Sequence, residues 1–427
     1  MEVKNSSLCL FDKPAVQTDI LGYQVVDYYP LNNVSAGGPF EILVPGSADD
    51  YIDVNSINMY LRLKITKEAD GKNIKTADDK VGLNNLAIAS LFEDVSLTLG
   101  DTQIEGGQGN YPYLAYFNTV MQFTPSAQKS HMRSWGWYKD EAGKFEDEAN
   151  KGFVQRQELS KDSKTFELQG PLFLDFFRQS QLLLSQTDMR IKLRPSKPEF
   201  VLNAYGATKE FNIEFEDVIL YVTRYTVNPS VINGHATGLS RQNAIYPVNH
   251  CELLPYSVPK GQQSWSKNIF PVQAPKLLIM GMIENESFNG SISKNPFHFQ
   301  HFDLTKLALY SDCKSIPGQP FNPDFASGKT LRSYVHLMST FGYSYTDDTN
   351  GLTLEEFQNG YTFYAFDLTA DKSADSGHRQ AIPSKNLRLS LAFRGPLKTT
   401  VNILLFAVYD SAIEITKLRD VITHYTR

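Results

Sequence analysis

Two stretches in opposite halves of this chain carry the same pattern of apolar residues. Phe92 begins FEDVSLTL and Phe302 begins FDLTKLAL, and in both the Phe is followed by Leu five and seven positions later. A segment with helical spacing follows each stretch and ends in a phenylalanine, Phe123 in one half and Phe341 in the other. A repeated order of elements indicates two similar domains in tandem.

Two further matches occur in the same order. MRIKL at 189–193 matches LRLSL at 387–391, and each is followed by an apolar segment that ends in aromatic residues, DVILYVTRY and ILLFAVY. The sequence therefore predicts an N-terminal domain over 1–225 and a C-terminal domain over 226–427. We expect the linker at about 226–240, where Pro, Gly and Asn interrupt the apolar pattern.

Alternation of apolar and polar residues recurs along the whole chain and is typical of antiparallel strands with one face in a core. Helical spacing is rare, so the expected fold class is all-β, of the sandwich type, with long loops and a few short helices. Long polar segments at 68–82, 124–163, 313–329 and 342–360 either are functional or contain further elements. The alternating runs are Ile57–Lys64, Val95–Leu99, Met189–Leu193, Phe211–Val222, Leu387–Phe393 and Val401–Tyr409, and the helical candidates are Tyr113–Phe123 and Leu331–Phe341.

Charge and cysteine content argue against several classes of protein. The net charge is -6 and no arginine-rich arm is present, so direct binding to nucleic acid is not expected. Cys9, Cys251 and Cys313 are too scattered for a zinc site or a disulfide framework and fit a reducing compartment. The sequence contains no apolar run of 18 residues and no secretory signal, so we expect synthesis in the cytoplasm or nucleus and no membrane span.

The segment NPFHFQHF (295–302) holds the pair of histidines that most resembles a metal or catalytic site. If the segment is a strand, His298 and His301 are three positions apart and point to opposite faces, so they do not bind one ion. The matching segment of the first half has no histidine at either position. We therefore predict packing histidines in a strand.

Two other motifs also fail as ligand sites. GGQGN (106–110) begins like a dinucleotide-binding loop, but Pro112 stands where the third glycine belongs. TDDTNGLTLEEF (346–357) has the central glycine of a calcium loop but Thr346 and Phe357 at the positions of its first and last carboxylates. The sequence thus predicts no catalytic, cofactor-binding or metal-binding residue, although a triad or carboxylate pair assembled from distant residues stays open.

Aromatic residues within polar loops are the candidates for contacts between subunits. The segment HMRSWGWYKDEAG (131–143) combines aromatics with an arginine, a composition typical of protein interfaces, and a second loop holds KGQQSWSKN. The alternative is that each loop folds back and buries its own tryptophans. The candidate contact residues are Arg133, Trp135, Trp137, Tyr138 and Trp265.

The stretch 27–65 resembles the N-terminal jelly roll of major capsid proteins from the Polinton/Maverick and adintovirus group. The resemblance lies in Tyr29–Leu31 (YPL), Gly37–Pro39 (GGP), Pro45–Ser47 (PGS) and Tyr51–Val54 (YIDV), followed by a strand that ends in KI. NPFHFQHFDLTKLALY is similar to a strand of the second domain in that family, and SLFEDVSLTLGDTQI, YPYLAYFNTVMQF and WYKD are similar to other parts of it.

This resemblance implies two tandem eight-stranded jelly rolls, the double jelly roll of the hexon in the adenovirus-like lineage. It implies a structural protein and not an enzyme: a homotrimer that forms a pseudo-hexagonal capsomer, tiles an icosahedral shell beside a penton or minor capsid protein, and resides in the virion. The long loops would form towers or clasp neighbouring subunits.

Three other interpretations stay open at the level of sequence. A tandem β-sandwich could bind or cleave glycans, with exposed tryptophans as sugar platforms. A penton or another minor capsid protein usually needs only one roll, so the duplication disfavours it. A capsid protein retained by a host that no longer assembles has no distinguishing sequence feature.

Overall fold

The computed structural model describes residues 16–34, 37–67, 72–75, 79–206, 210–270, 273–312, 314–374, 379 and 386–424. The strands are β1 Ile20–Tyr28, β2 Phe40–Val44, β3 Asp50–Lys67, β4 Val81–Leu83, β5 Phe92–Leu99, β6 Thr102–Glu105, β7 Phe166–Pro171, β8 Met189–Pro195, β9 Leu202–Ala204, β10 Phe211–Val227, β11 Ala244–Val258, β12 Ser264–Ile269, β13 Leu277–Glu284, β14 Leu304–Ser311, β15 Lys314–Phe321, β16 Phe363–Asp367, β17 Leu387–Phe393, β18 Val401–Ile415 and β19 Val421–Thr423.

Short helices connect these strands. They are α1 Ala87–Ser90, α2 Tyr111–Gln122, α3 Pro125–Lys129, α4 Lys151–Leu159, α5 Pro198–Val201, α6 Pro229–Leu239, α7 Asn285–Asn289, α8 Leu331–Thr340 and α9 Leu354–Gln358, with 3-10 helices at His131–Trp135, Lys161–Ser163, Asp175–Arg178 and Tyr343–Tyr345. None of the helices in the described part of the chain is long and apolar enough to cross a membrane.

The first half of the chain forms two four-stranded antiparallel sheets, β1-β10-β3-β7 and β2-β8-β5-β6. The second half forms β11-β18-β13-β16, extended by β19, and β12-β17-β14-β15. If the eight main strands of each half are numbered in chain order, both halves have the sheet orders 1-8-3-6 and 2-7-4-5. Each half is therefore a jelly roll, and the predicted double jelly roll is confirmed.

The sequence matches fall on equivalent elements of the two rolls. Strands β5 and β14 are both the fourth strand of their roll, β8 and β17 the seventh, and β10 and β18 the eighth. Helices α2 and α8 both follow the fifth strand. The repeated pattern thus marks the same strand positions in both cores.

Apolar side chains from the two sheets meet inside each roll. In the first roll, Phe40 of β2 lies 5.0 Å from Phe215 of β10, measured between ring centroids, and both rings contact Phe92 of β5. In the second roll, Phe321 of β15 contacts Tyr364 and Phe366 of β16. These contacts define the inner face of each sheet.

Two segments contain elements that the alternation of apolar and polar residues does not show. Segment 313–329 contains the strand β15, whose composition (KSIPGQPF) hid it because proline and glycine are unfavourable inside sheets; β15 is an edge strand, where proline is tolerated. Segment 226–240, expected as a linker, contains the helix α6, capped at its start by the Asn228 side chain. The domain limits 1–225 and 226–427 stay a prediction.

Candidate functional site

The histidine segment is not a strand, so the prediction of alternating faces is wrong there. Phe302 and Asp303 have positive φ angles of 45° and 50°, which turn the backbone before β14 begins at Leu304. The His301 Nδ1 accepts a hydrogen bond from the Asp303 N–H at 2.9 Å. The segment is therefore an irregular turn.

Each histidine nevertheless packs as predicted, against a different ring. His298 stacks on Phe145 with centroids 4.6 Å apart, and His301 stacks on Phe325 at 4.0 Å. Burial lowers the pKa of His301 below its usual 6.5, which fits a ring nitrogen that accepts a hydrogen bond. In the described part of the chain, no group of three or more His, Cys, Asp or Glu could hold a metal ion.

The glycine loop and the calcium-like loop are occupied by internal contacts. The Asp94 carboxylate accepts the N–H groups of Gly107 (2.8 Å) and Gly109 (3.3 Å), donors of the kind a phosphate would need. In the other loop, Thr353 and Glu356 form the capping box of α9, and Phe357 is fully buried. Both loops are structural in this chain.

Burial removes two tryptophans from the candidate contact residues. Trp135 and Trp137 are only 8% and 1% exposed, so their assignment as exposed contact residues is wrong. Trp135 packs against Phe123 and Phe173 and fills the space above Gly170, where a Cβ would come within 2.4 Å of the indole. The loop folds back on the first roll, which is the alternative that the sequence left open.

The other three candidates, Arg133, Tyr138 and Trp265, are partly accessible. The Arg133 guanidinium lies 4.2 Å from the centroid of the Tyr138 ring, a cation–π contact within one loop. Trp265 of β12 packs against Tyr256 of β11. Their role in subunit contacts stays a prediction.

The segment between β6 and β7 joins the two rolls, and α2 is its first part. Phe117 lies in contact with Phe299, Phe363 and Phe406 of the second roll, at centroid distances of 5.3, 5.4 and 5.5 Å. Tyr116 stacks on Phe297 at 4.2 Å, with the ring planes 4° from parallel. Since α2 is apolar on several sides, it is buried between two layers.

A buried polar cluster centred on Asp140 forms the second part of this junction. The Asp140 carboxylate accepts hydrogen bonds from Arg156 (2.6 Å), Asn150 (3.0 Å) and Asn295 (3.2 Å), and its backbone carbonyl accepts one from the Tyr361 hydroxyl (2.9 Å). Asn295 and Tyr361 belong to the second half of the chain. The side chains of Asp140 and Arg156 are 0% and 1% exposed.

Arg156 is held by further acceptors in the first half. Its Nε donates to the Leu83 carbonyl at 2.7 Å, and one of its terminal nitrogens donates to the Tyr138 carbonyl. A buried ion pair is stable only when its other hydrogen-bonding atoms also have partners. Here those partners come from both rolls, so the network holds the loop in one position against both.

More exposed ion pairs surround the cluster. Lys139 binds Glu356 at 2.8 Å, and Lys294 binds Glu146 at 3.1 Å. Each pair joins the first half of the chain to the second, but partial exposure limits each to less than about 1 kcal/mol. The loop therefore clasps the second roll of its own chain.

A cleft of about 1050 Å³ lies beside α2, where Tyr111, Leu114 and Asn118 line it together with residues of β5, β6 and β11. Glu105 of β6 enters it and accepts the N–H groups of Asp175 (2.7 Å) and Phe176 (2.6 Å). Asp175 in turn accepts the N–H of Cys251 in β11 at 2.7 Å. This chain of hydrogen bonds links the two rolls through the carboxyl groups of Glu105 and Asp175.

Burial, and then the charge of Asp175, raises the pKa of Glu105 to about 8. The folded chain therefore binds this proton more tightly than the unfolded chain, whose glutamates titrate near 4.5. The resulting stabilisation is complete below pH 4.5 and is lost as the pH rises through 8. Burial also raises the pKa of the Cys251 thiol, which disfavours the reactive thiolate.

We expect Glu105→Gln to remove this pH dependence, because glutamine has no proton to lose. Urea unfolding of the unmodified chain and of the variant between pH 5 and pH 9 tests this. The unmodified chain should lose stability relative to the variant as the pH rises. Parallel curves over the whole range would show that Glu105 is already ionised in the folded chain at pH 5.

The comparisons with known proteins identify the class of fold but not a family. No protein-family model matches the sequence. A curated protein of Caenorhabditis elegans, "Uncharacterized protein F54H12.2", is 24% identical over 393 residues, which cover 89% of this chain and 92% of that protein.

Solved structures from viruses share the fold along nearly the whole chain. A chain of the Sputnik virophage, from a 3.5 Å cryo-EM structure, matches with a TM-score of 0.68 and 12% identity, covering 99% of this chain and 91% of that one. The PBCV-1 virus capsid model gives 0.60 and 10%, covering 98% and 100%. The crystal structure of the mavirus major capsid protein gives 0.53 and 10%, covering 100% and 95%. At these identities the likeness establishes the double jelly roll alone.

Proposed function

We propose that this protein is a structural major capsid protein whose copies associate as homotrimers. The observation that carries the proposal is that one chain forms the same eight-stranded roll twice, with identical strand orders. Three such chains supply six similar rolls, which suits a pseudo-hexagonal capsomer that tiles an icosahedral shell. The virophage and PBCV-1 structures with the same fold support this assignment.

The proposal extends to lineage, partners and location. The motifs quoted for residues 27–65 and 295–310 support the proposal that the chain is related to the Polinton/Maverick and adintovirus group of the adenovirus-like lineage. Its partners would be copies of itself, neighbouring capsomers and a penton or minor capsid protein, and its location the virion after synthesis in the cytoplasm or nucleus. The proposal involves no catalytic step, no cofactor and no direct binding of nucleic acid.

The alternative of a glycan-binding or glycan-active protein loses its main support. It rested on exposed tryptophans as platforms for sugar rings, and Trp135 and Trp137 are buried. Trp265 is partly exposed but packs against Tyr256.

The mass of the purified protein in solution tests the proposal. Three copies of the 48.2 kDa chain weigh 144.6 kDa. We expect native mass spectrometry to give that mass and negative-stain images to show a six-lobed outline. A monomer at all concentrations up to tens of micromolar, or a monomer with glycosidase activity, would contradict the proposal.

A further inference from the structure

The two rolls differ in what covers the outer face of the sheet with the strand order 1-8-3-6. In the second roll this face is apolar and lies beneath α2 and beneath Phe299, which belongs to the loop between β13 and β14. Its residues are Cys251, Leu253, Leu277, Ile279, Phe363, Ala365, Leu404, Phe406 and Val408, each at most 9% exposed. Gly281 leaves room there for the rings of Phe299 and Phe117.

The equivalent face of the first roll, formed by β1, β10 and β3, is accessible. Tyr23 and Val25 on β1 are 72% and 51% exposed. They pair with Tyr225 and Thr223 of β10, and Tyr221 and Tyr60 extend the same face across the sheet. We call Tyr23, Val25, Tyr60, Tyr221 and Tyr225 the tyrosine face. A surface rich in tyrosine is typical of protein interfaces and not of interiors.

Helix α8 is the counterpart of α2 in the second roll, because both follow the fifth strand of their roll. Ten residues of α2 are buried, whereas only Ser333 and Leu337 of α8 are buried. Leu331 and Val335 are 58% and 49% exposed and lie, with the partly buried Met338, on one side of the helix. We call Leu331, Val335 and Met338 the α8 stripe.

The charges around the two surfaces have opposite sign. Beside the tyrosine face, burial first and then the charges of Asp27, Asp217 and Glu167 raise the pKa of Tyr221. Arg62 binds Asp217 at 2.8 Å, so the negative charge beside this face lies mainly on Asp27 and Glu167. Beside the α8 stripe, burial is the main cause that lowers the pKa of His336, and the positive charges of Lys372 and Arg332 lower it further. A hydrogen bond with the backbone of Ala365 acts in the opposite direction. Lys329, just before α8, is also exposed. Such complementarity favours association of the two surfaces.

The dimensions also agree. A helix of ten residues is about 15 Å long. The part of β10 between Ile219 and Tyr225 is about 20 Å long, and three adjacent strands are about 10 Å across between the outer two axes. The tyrosine face therefore has room for the whole of α8.

We propose that the tyrosine face of one copy of this chain binds the α8 stripe of a second copy. Within one chain, α2 of the first roll packs on the sheet of the second roll. In the proposed contact, α8 of the second roll packs on the equivalent sheet of the first roll in another chain. This contact joins two different surfaces, which is the kind of contact that a ring of three copies related by rotation requires. The inference rests on the proposed homotrimer and names the surfaces that hold it together.

Two variants that place charge in the contact test the inference. Val335→Glu puts a carboxylate on α8 that would face the acidic surround of the tyrosine face, and Val25→Glu adds a carboxylate to that face. We expect each to weaken the trimer at least tenfold, measured as the protein concentration at which native mass spectrometry finds equal trimer and monomer. Circular dichroism and the melting temperature of the monomer should be unchanged.

Leu418→Glu is the matched control, since Leu418 is 82% exposed in the turn between β18 and β19, outside both surfaces. It should leave the trimer intact. If the unmodified chain forms no trimer, the proposed function itself fails. If the unmodified chain forms trimers and both Val25→Glu and Val335→Glu do so equally well, the homotrimer stands and this contact is wrong. Trimers that persist while the variants lower the melting temperature would mean that the surfaces are covered within one chain, which also overturns the inference.

Discussion

Replacing Asp140 by alanine is expected to lower the free energy of unfolding by about 3–5 kcal/mol, because the Arg156 guanidinium stays buried without its counter-ion. The loss should be large since Arg156 is 1% exposed and has no route to water without disruption of the loop. The Asn150 and Asn295 amides lose an acceptor at the same time. Urea unfolding followed by fluorescence measures the change.

Two further variants separate the buried pair from charge in general. Lys80→Ala breaks a pair of the same type, Lys80 with Glu148 at 2.7 Å, but those side chains are 45% and 51% exposed. It should cost less than about 1 kcal/mol. The double variant Asp140→Leu with Arg156→Met removes both charges and should be more stable than Asp140→Ala. Equal stability of Asp140→Ala and Lys80→Ala would rule out the buried pair as a main contribution to stability.

Phe117→Ala is expected to cost about 3–5 kcal/mol, the usual loss when a fully buried phenylalanine is truncated. Phe117 is 0% exposed and fills the space between Phe299, Phe363 and Phe406. Because those partners belong to the second roll, the cavity loosens the junction between the rolls. Urea unfolding gives the energy, and hydrogen exchange by mass spectrometry gives its location.

Phe40→Ala is the matched control for location, because Phe40 is equally buried but lies inside the first roll. It should raise exchange mainly in the first roll, whereas Phe117→Ala should raise exchange on both sides of the junction. Phe117→Leu retains most of the volume and should cost about 1–2 kcal/mol. If Phe117→Ala affected the first roll alone, α2 would not contribute to holding the rolls together.

The strands and their repetition could be predicted from the sequence, because a strand with one face in a core has an apolar residue at every second position. All six alternating runs, from Ile57–Lys64 to Val401–Tyr409, lie within strands. Both helix candidates are also confirmed within two residues, as α2 and α8. The strand β15 was missed because its prolines and glycine, tolerated at a sheet edge, remove the alternating pattern.

The errors at the candidate sites come from features that an alternating pattern does not encode. The sequence of 295–302 alternates like a strand, but the positive φ angles of Phe302 and Asp303 turn the backbone, and hydrogen bonding at His301 accompanies that turn. The tryptophans of 131–143 were candidates for an exposed contact surface because their neighbours are polar, and burial by their own loop was the alternative. In the structure the loop folds back on the first roll, and the carboxylate of its Asp140 accepts hydrogen bonds from Asn150 and Arg156.

The repeated pattern of apolar residues was enough to predict two similar β-rolls with helices at equivalent places. That α2 is covered by the second roll, while α8 and the tyrosine face remain accessible, follows from the folded structure and from no local pattern. A pattern of apolar residues predicts which side chains are buried, because burial of apolar groups is favourable. It does not predict which other surface buries them. The partner depends on how segments far apart in the chain meet, as Asp140 and Tyr361 do.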